Sequence, residues 1–204
     1  SGRGGASVND DTVLDALRDA WRRSEPVVAP TDTVPGLVAP AADETAVRRL
    51  FAAKQRPLDR RMAVLVADLE QAAAWIEVDD RTTRLADRFW PGGLTIVRPR
   101  RPAAPAWVGD DDTLGVRCPD DARLRGLAAE VGPLAATSAN LHGAPPVADE
   151  TEAAATFPGL VVIPGSTPAA PASTVVVLGP GTVEIVREGP VAAEAIGAAL
   201  ATRP

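Results

Sequence analysis

Tyrosine is missing from this chain, and its 204 residues include one cysteine (Cys118), one histidine (His142), one methionine and one lysine (Lys54). A single cysteine excludes an intrachain disulfide framework and fits a reducing compartment, so a cytoplasmic setting is expected. One cysteine and one histidine leave no ligand set for structural zinc. They also leave no convincing Ser-His-Asp or Cys-His arrangement. Cys118 reads as a small buried thiol, and His142, in a Gly/Pro-containing loop, as an exposed residue. No apolar run approaches the roughly 20 residues of a membrane span. No Walker-type loop and no GxGxxG is present, so any bound phosphate must be held by side chains. The net charge of −6 argues against a general nucleic-acid binder.

What is present suits one substantial core. With 46% hydrophobic residues, the chain reads as a flexible Gly-rich tail over residues 1–8 and one domain over 9–204. Asp10 or Asp11 opens a helix with Val13, Leu14, Leu17 and Trp21 on one face. Short strands follow at Val27–Ala29 and Gly36–Val38, separated by the polar loop 30–33. Asp43-Glu44 opens a helix that ends at Lys54, with Pro57 three residues on. Further strands are expected at 62–66, 94–97, 114–116, 134–136, 160–163, 174–178 and 184–187. Helices are expected at 69–76, 81–89, from Asp120-Asp121 to 130, near 150–156, and from 191 onward. Intermixed strands and helices imply an α/β fold, one twisted mixed sheet with flanking helices.

Two features single out a candidate site. The first is Lys54-Gln55-Arg56-Pro57. Arginine supplies 20 of the 21 basic residues, yet one compact ammonium stands two positions before a guanidinium. The two cations are not interchangeable around a phosphate. Arg48, Arg49, Lys54, Arg56, Arg60 and Arg61 against Asp59 make a local positive cluster suited to a small polyanion. The second is a set of polar residues beyond the carboxyl ends of expected strands, where ligands bind in α/β sheets: Thr31, Thr33, Arg117, Ser138, Asn140 and Arg187. Together they make a pocket rich in donors and almost free of general bases. Asp32 has two open readings, a metal ligand or a loop-fixing carboxylate.

The ordered segments PTDTVPGL, KQRP, FWPGGLT, GVRCP, AATSAN, ASTVV and VREG resemble the YrdC-type threonylcarbamoyl-AMP synthases from about Val27 to Gly189. The resemblance implies a YrdC-like α/β fold with an open, basic concave cavity, in the short form without the extra C-terminal domain of longer members. It implies a nucleotidyltransferase that makes threonylcarbamoyl-adenylate and pyrophosphate from L-threonine, bicarbonate and ATP with Mg2+. The adenylate then passes to a tRNA threonylcarbamoyl transferase as partner, and weak tRNA contact is compatible with this. By motif, Lys54 and Arg56 are the catalytic pair on the ATP phosphates, with Arg60 beside them. Thr113, Ser138, Asn140 and Arg187 match nucleotide-holding positions. Thr33, Arg117 and Ser173 match positions around the threonine, and no residue is expected to hold a metal. Pro35 stands where the family has tyrosine, beside the expected amino-acid pocket. A paralogue acting on another carbamoyl or amino substrate, and a non-catalytic RNA- or nucleotide-binding protein, are the alternative readings.

Overall fold

The structure, a computed structural model, describes residues 10–55, 62–141, 143–167 and 170–201, the side chains of residues 10 and 11 excepted. Arg56, Arg60, Arg61 and His142 lie outside the described residues, as does the tail expected over residues 1–8. The elements run α1 (Asp10–Arg22), β1 (Val27–Ala29), β2 (Gly36–Pro40), α2 (Glu44–Ala53), β3 (Ala63–Leu65), α3 (Leu69–Trp75), α4 (Asp80–Phe89) and β4 (Leu94–Pro99). They continue with β5 (Thr113–Arg117), α5 (Ala122–Val131), β6 (Leu134–Ser138), α6 (Glu150–Thr156), β7 (Val161–Val162), β8 (Thr174–Gly179), β9 (Thr182–Arg187) and α7 (Ala193–Ala201).

Aspartates start the helices. Asp43, Asp68, Asp79, Asp121 and Asp149 each precede a helix with extended backbone, and each carboxylate accepts a first-turn N–H. That satisfies donors a helix cannot satisfy internally. α2 ends at Lys54, whose own N–H closes on Leu50 O, and Gln55 beyond it takes a positive φ. The lysine therefore leaves the helix at its final turn.

Nine strands form one sheet in the order β7-β1-β2-β6-β3-β5-β4-β8-β9, with parallel and antiparallel neighbours mixed. On one face, Leu37, Val64, Leu114, Val116 and Ala135 join Val47, Leu50 and Phe51 of α2 in a fully packed core. Leu94, Ile96, Val176 and Leu178 form a second core against α4 and α7. Leu17 and Trp21 of α1 pack with Leu124 and Leu127 of α5 in a third. The sheet is covered by helices where its large side chains point.

Three expectations change. β6 extends through Thr137 and Ser138, expected as a loop, because Gly36 and Leu37 of β2 pair with them. The strand carboxyl ends do not share one edge: β1 and β6 run one way, β5 and β9 the other, as the pairing directions require. The candidate residues meet on a sheet face instead. The basic cluster also divides. Arg48 is paired with Glu44, and Arg49 donates to the carbonyls of Arg23 and Ser24 at the end of α1. Of the described cations in that cluster, only Lys54 turns toward the site.

Candidate active site

The face opposite α2, α4 and α7 floors a cavity of about 570 Å³, within the range of small-molecule sites, and its lining residue Leu65 also packs with α1 and α5. Alternate residues line it, as strand geometry requires, in β3 to β5 and β8: Ala63 and Leu65, Thr95 and Val97, Thr113, Gly115 and Arg117, Val175 and Val177; in β6 Thr137 joins Ala136 and Ser138. In β9 both Val186 and Arg187 reach the cavity, beside a register shift against Val175 and Val176. The central positions are small. A Cβ on Gly115 would lie 3.3 Å from Thr95 Cγ2 and 3.4 Å from Ala63 Cβ, and one on Gly36 would lie 3.3 Å from Thr31 Cγ2. Three cations (Lys54, Arg117 and Arg187) and one carboxylate (Asp110) are on the described lining, which carries no aromatic side chain.

At one end Lys54 Nζ donates to Ser138 O at 2.7 Å, Ser138 Oγ at 3.0 Å and Asn140 Oδ1 at 2.5 Å. Ser138 Oγ also donates to Asn140 Oδ1 at 2.6 Å. Asn140 is itself oriented, its amide donating to Leu141 O and Ala144 O. A buried ammonium held by three oxygens is a fixed positive point, only 4% exposed.

At the other end, Arg117 at the close of β5 donates through Nη1 to Thr33 Oγ1 at 2.9 Å, and its Nη2 is ion-paired with Asp32. Arg187 at the close of β9 donates from Nε to Ser173 O at 2.8 Å and from Nη2 to Ser173 Oγ at 2.9 Å. Ser173 Oγ shares a further hydrogen bond with Thr95 Oγ1 at 2.9 Å. Burial pulls both guanidinium groups below their ordinary value, offset at Arg117 by Asp32 and deepened at Arg187 by the charge of Arg117. Two mutually repelling guanidiniums over one cavity favour an anion there.

Lys54, Ser138 and Asn140 thus come together, and so do Thr33, Arg117, Ser173 and Arg187. Thr113 lines the cavity, but its hydroxyl donates to Asp110, which also accepts the Thr113 N–H. Asp32 is a loop-fixing carboxylate, bound to Arg117 and to the Asp120 N–H. Cys118 is buried against Ala67 O; burial raises its thiol to about 11, Arg125 opposing. Pro35 is not itself on the cavity lining, but its neighbours Val34 and Gly36 are, and its carbonyl accepts the Ala139 N–H. Sequence reasoning gave no role to Thr95, Gly115 or the valines of β8. For Thr95 and Gly115 the signal was alternation, a small or polar residue between Leu, Ile or Val on the other face; the valine run of β8 carries no such signal.

This fold and cavity define an α/β protein with a donor-rich, cationic cavity against one face of its sheet. The chain belongs to the Sua5/YciO/YrdC family, whose model, described as telomere recombination, matches residues 19–189. It is 41% identical over 127 residues to a threonylcarbamoyl-AMP synthase of Pyrococcus abyssi, a match covering 61% of this chain and 37% of that protein. It is 36% identical over 155 residues to the threonylcarbamoyl-AMP synthase of Enterobacter, covering 73% of this chain and 82% of that one. The aligned stretch therefore covers little more than a third of the archaeal relative's length. The crystal structure of P. abyssi Sua5 complexed with L-threonine matches with a TM-score of 0.83 and 34% identity, over 93% of this chain and 57% of that one.

Proposed function

We propose that this protein is an L-threonylcarbamoyladenylate synthase, joining L-threonine, bicarbonate and ATP with release of pyrophosphate. The observation that carries the reading is one cavity with a fixed ammonium at one end and paired guanidiniums at the other. A relative of the same fold was crystallised with L-threonine.

The reaction needs charge management more than a protein nucleophile. Threonine's amine adds to bicarbonate with loss of water, giving a carbamate. A carbamate oxygen then bonds to the α-phosphorus of ATP as the bond to the bridging oxygen breaks, and that electron pair leaves with pyrophosphate. Nucleophile and electrophile are both anionic. Two unit charges 4 Å apart interact by about 4 kcal/mol at an effective dielectric of 20, so unscreened repulsion alone would slow the step markedly. Lys54, fixed by Ser138 and Asn140, neutralises phosphate charge, with Arg56 and Arg60 joining it by motif. Arg117, Thr33 and Ser173 take the threonine carboxylate and hydroxyl, and Arg187, held on Ser173 at the same end, adds a nucleotide contact by motif. Val97, Val175, Val177 and Val186 offer an aliphatic wall for the base. Positioning of this kind, in a site of fixed charges, is the main source of rate in phosphoryl and nucleotidyl transfer.

Magnesium enters with ATP as the substrate complex. The described residues hold no group of three His, Cys, Asp or Glu side chains that would cage it. The two nearby carboxylates, Asp32 and Asp110, are engaged with Arg117 and Thr113. The adenylate, a reactive mixed anhydride, suits handover to a tRNA-modifying transferase in the cytoplasm, and no described helix is long and apolar enough to cross a membrane.

The direct test is mass spectrometry of the product. Protein, ATP, magnesium, threonine and carbon-isotope-labelled bicarbonate should yield an adenylate carrying the label. A labelled adenylate formed equally well with other amino acids would contradict the assignment of threonine.

A further inference from the structure

We infer that Asp32 is a positioning residue for the amino-acid substrate, holding Arg117 with one carboxylate oxygen and the backbone beyond Arg117 with the other. This deepens the reading proposed above and rests on it. Neither the motif comparison nor the relatives' names give Asp32 a task.

The geometry is a clasp between two loops. Oδ1 of Asp32 is the partner of Arg117 Nη2, and Oδ2 accepts the Asp120 N–H at 2.9 Å. The neighbouring Thr33 takes Arg117 Nη1 at 2.9 Å. Thr33 is in turn held by Thr31, whose Oγ1 accepts the Thr33 N–H at 3.1 Å and donates to Val34 O at 2.8 Å. Two successive residues of one loop thus grip both η nitrogens of a guanidinium that is 6% exposed. One N–H on each η nitrogen is left for a ligand carboxylate, the bidentate pattern in which arginine is strongest. Arg117 Nε is buried with no partner among the described residues, so if Asp32 lets go the Thr33 hydroxyl is the one side-chain grip left on the guanidinium there.

Asp32 also sets the local charge. Arg117 and Arg187 repel each other, and burial of each opposes its charge. A carboxylate behind Arg117, with its side chain 11% exposed, makes a charged guanidinium tolerable there before substrate arrives. Without it, Arg117 would swing toward water or toward phosphate, and the amino-acid end would lose its register.

Substitutions separate positioning from simple bracing. Asp32→Asn has one carbonyl oxygen for two donors, so its amide must face either Arg117 or the Asp120 N–H. Asp32→Glu keeps two acceptor oxygens on a longer stem. Pyrophosphate release is measured with ATP and threonine varied separately, alongside thermal unfolding. Asp32→Asn is expected to raise the KM for threonine by about tenfold or more, as for loss of one charge-assisted hydrogen bond. Its KM for ATP stays within about twofold, and Asp32→Glu recovers most of the threonine affinity.

Equal rises in both KM values, or a changed melting temperature with unchanged kinetics, would make Asp32 a brace only and overturn the inference. Failure of Asp32→Glu to outperform Asp32→Asn would also overturn it. Wild-type protein without threonine-dependent release would remove the proposed function itself, and this inference with it, before any variant is compared.

Discussion

Replacing Lys54 by methionine keeps the length of the side chain and removes its charge. Three charge-assisted hydrogen bonds disappear: those to Ser138 O, Ser138 Oγ and Asn140 Oδ1. The acceptors are not orphaned, however. Ser138 O keeps the Asn140 N–H at 3.0 Å, and Asn140 Oδ1 keeps the Ser138 hydroxyl at 2.6 Å. Removing a buried ammonium also removes its desolvation cost. The stability loss should therefore be far below the sum of three bonds, about 1–3 kcal/mol. For a chain of this length that is a fall in Tm of roughly 2–12 °C. The catalytic loss should be much larger, because a fixed cation aimed at developing phosphate charge is typically worth about 100- to 1,000-fold. Lys54→Arg should not rescue, since a planar fork does not match three acceptors around an ammonium. Differential scanning calorimetry and initial rates of pyrophosphate release at varied ATP give both numbers. A Lys54→Met protein with wild-type kcat/KM for ATP, or one unfolded at room temperature, would refute the reasoning.

Three further outcomes are expected. Asp79 caps α4 and pairs with Arg98 and Arg81; burial opposes its ionisation, but the Thr82 hydrogen bonds and these cations outweigh it and hold its carboxyl at about 2. With the folded pKa depressed below the ordinary 3.8, its contribution is present above that value and lost as pH falls toward 2; Asp79→Ala should lower Tm near neutrality and flatten the acid limb of a Tm-against-pH curve. Gly115→Val should place methyl groups between Thr95, Ala63 and the cavity, abolishing ATP binding by calorimetry while circular dichroism stays native. Cys118, its thiol raised to about 11 by burial, should resist a thiol reagent at neutral pH until denaturant is added, and rapid labelling of native protein would contradict that placement.

Much of the fold could be read directly because its signals are local. An aspartate before an apolar-periodic run starts a helix whatever the tertiary context, and Asp43, Asp68, Asp79 and Asp121 all do so. The ordered motifs located Lys54, Ser138, Arg117, Ser173 and Arg187 on the same grounds, and these residues do share one cavity. What escaped depended on partners distant in sequence. Ser138 belongs to a strand only because Gly36 pairs with it, 102 residues away. Arg98 of β4 is a buried staple between Glu77 O, Leu178 O and Asp79, a role no spacing reveals. Arg48 and Arg49 counted toward a basic patch by composition, yet each has a neighbour that turns it elsewhere. Pro35 drew attention by its place in a motif, and the residues on either side of it, Val34 and Gly36, line the cavity.

The central claim is best tested by pyrophosphate release from ATP and magnesium, with threonine and bicarbonate omitted in turn. The account expects release only when both are present. Release that proceeds without threonine, or none at all from protein that binds ATP, would contradict it.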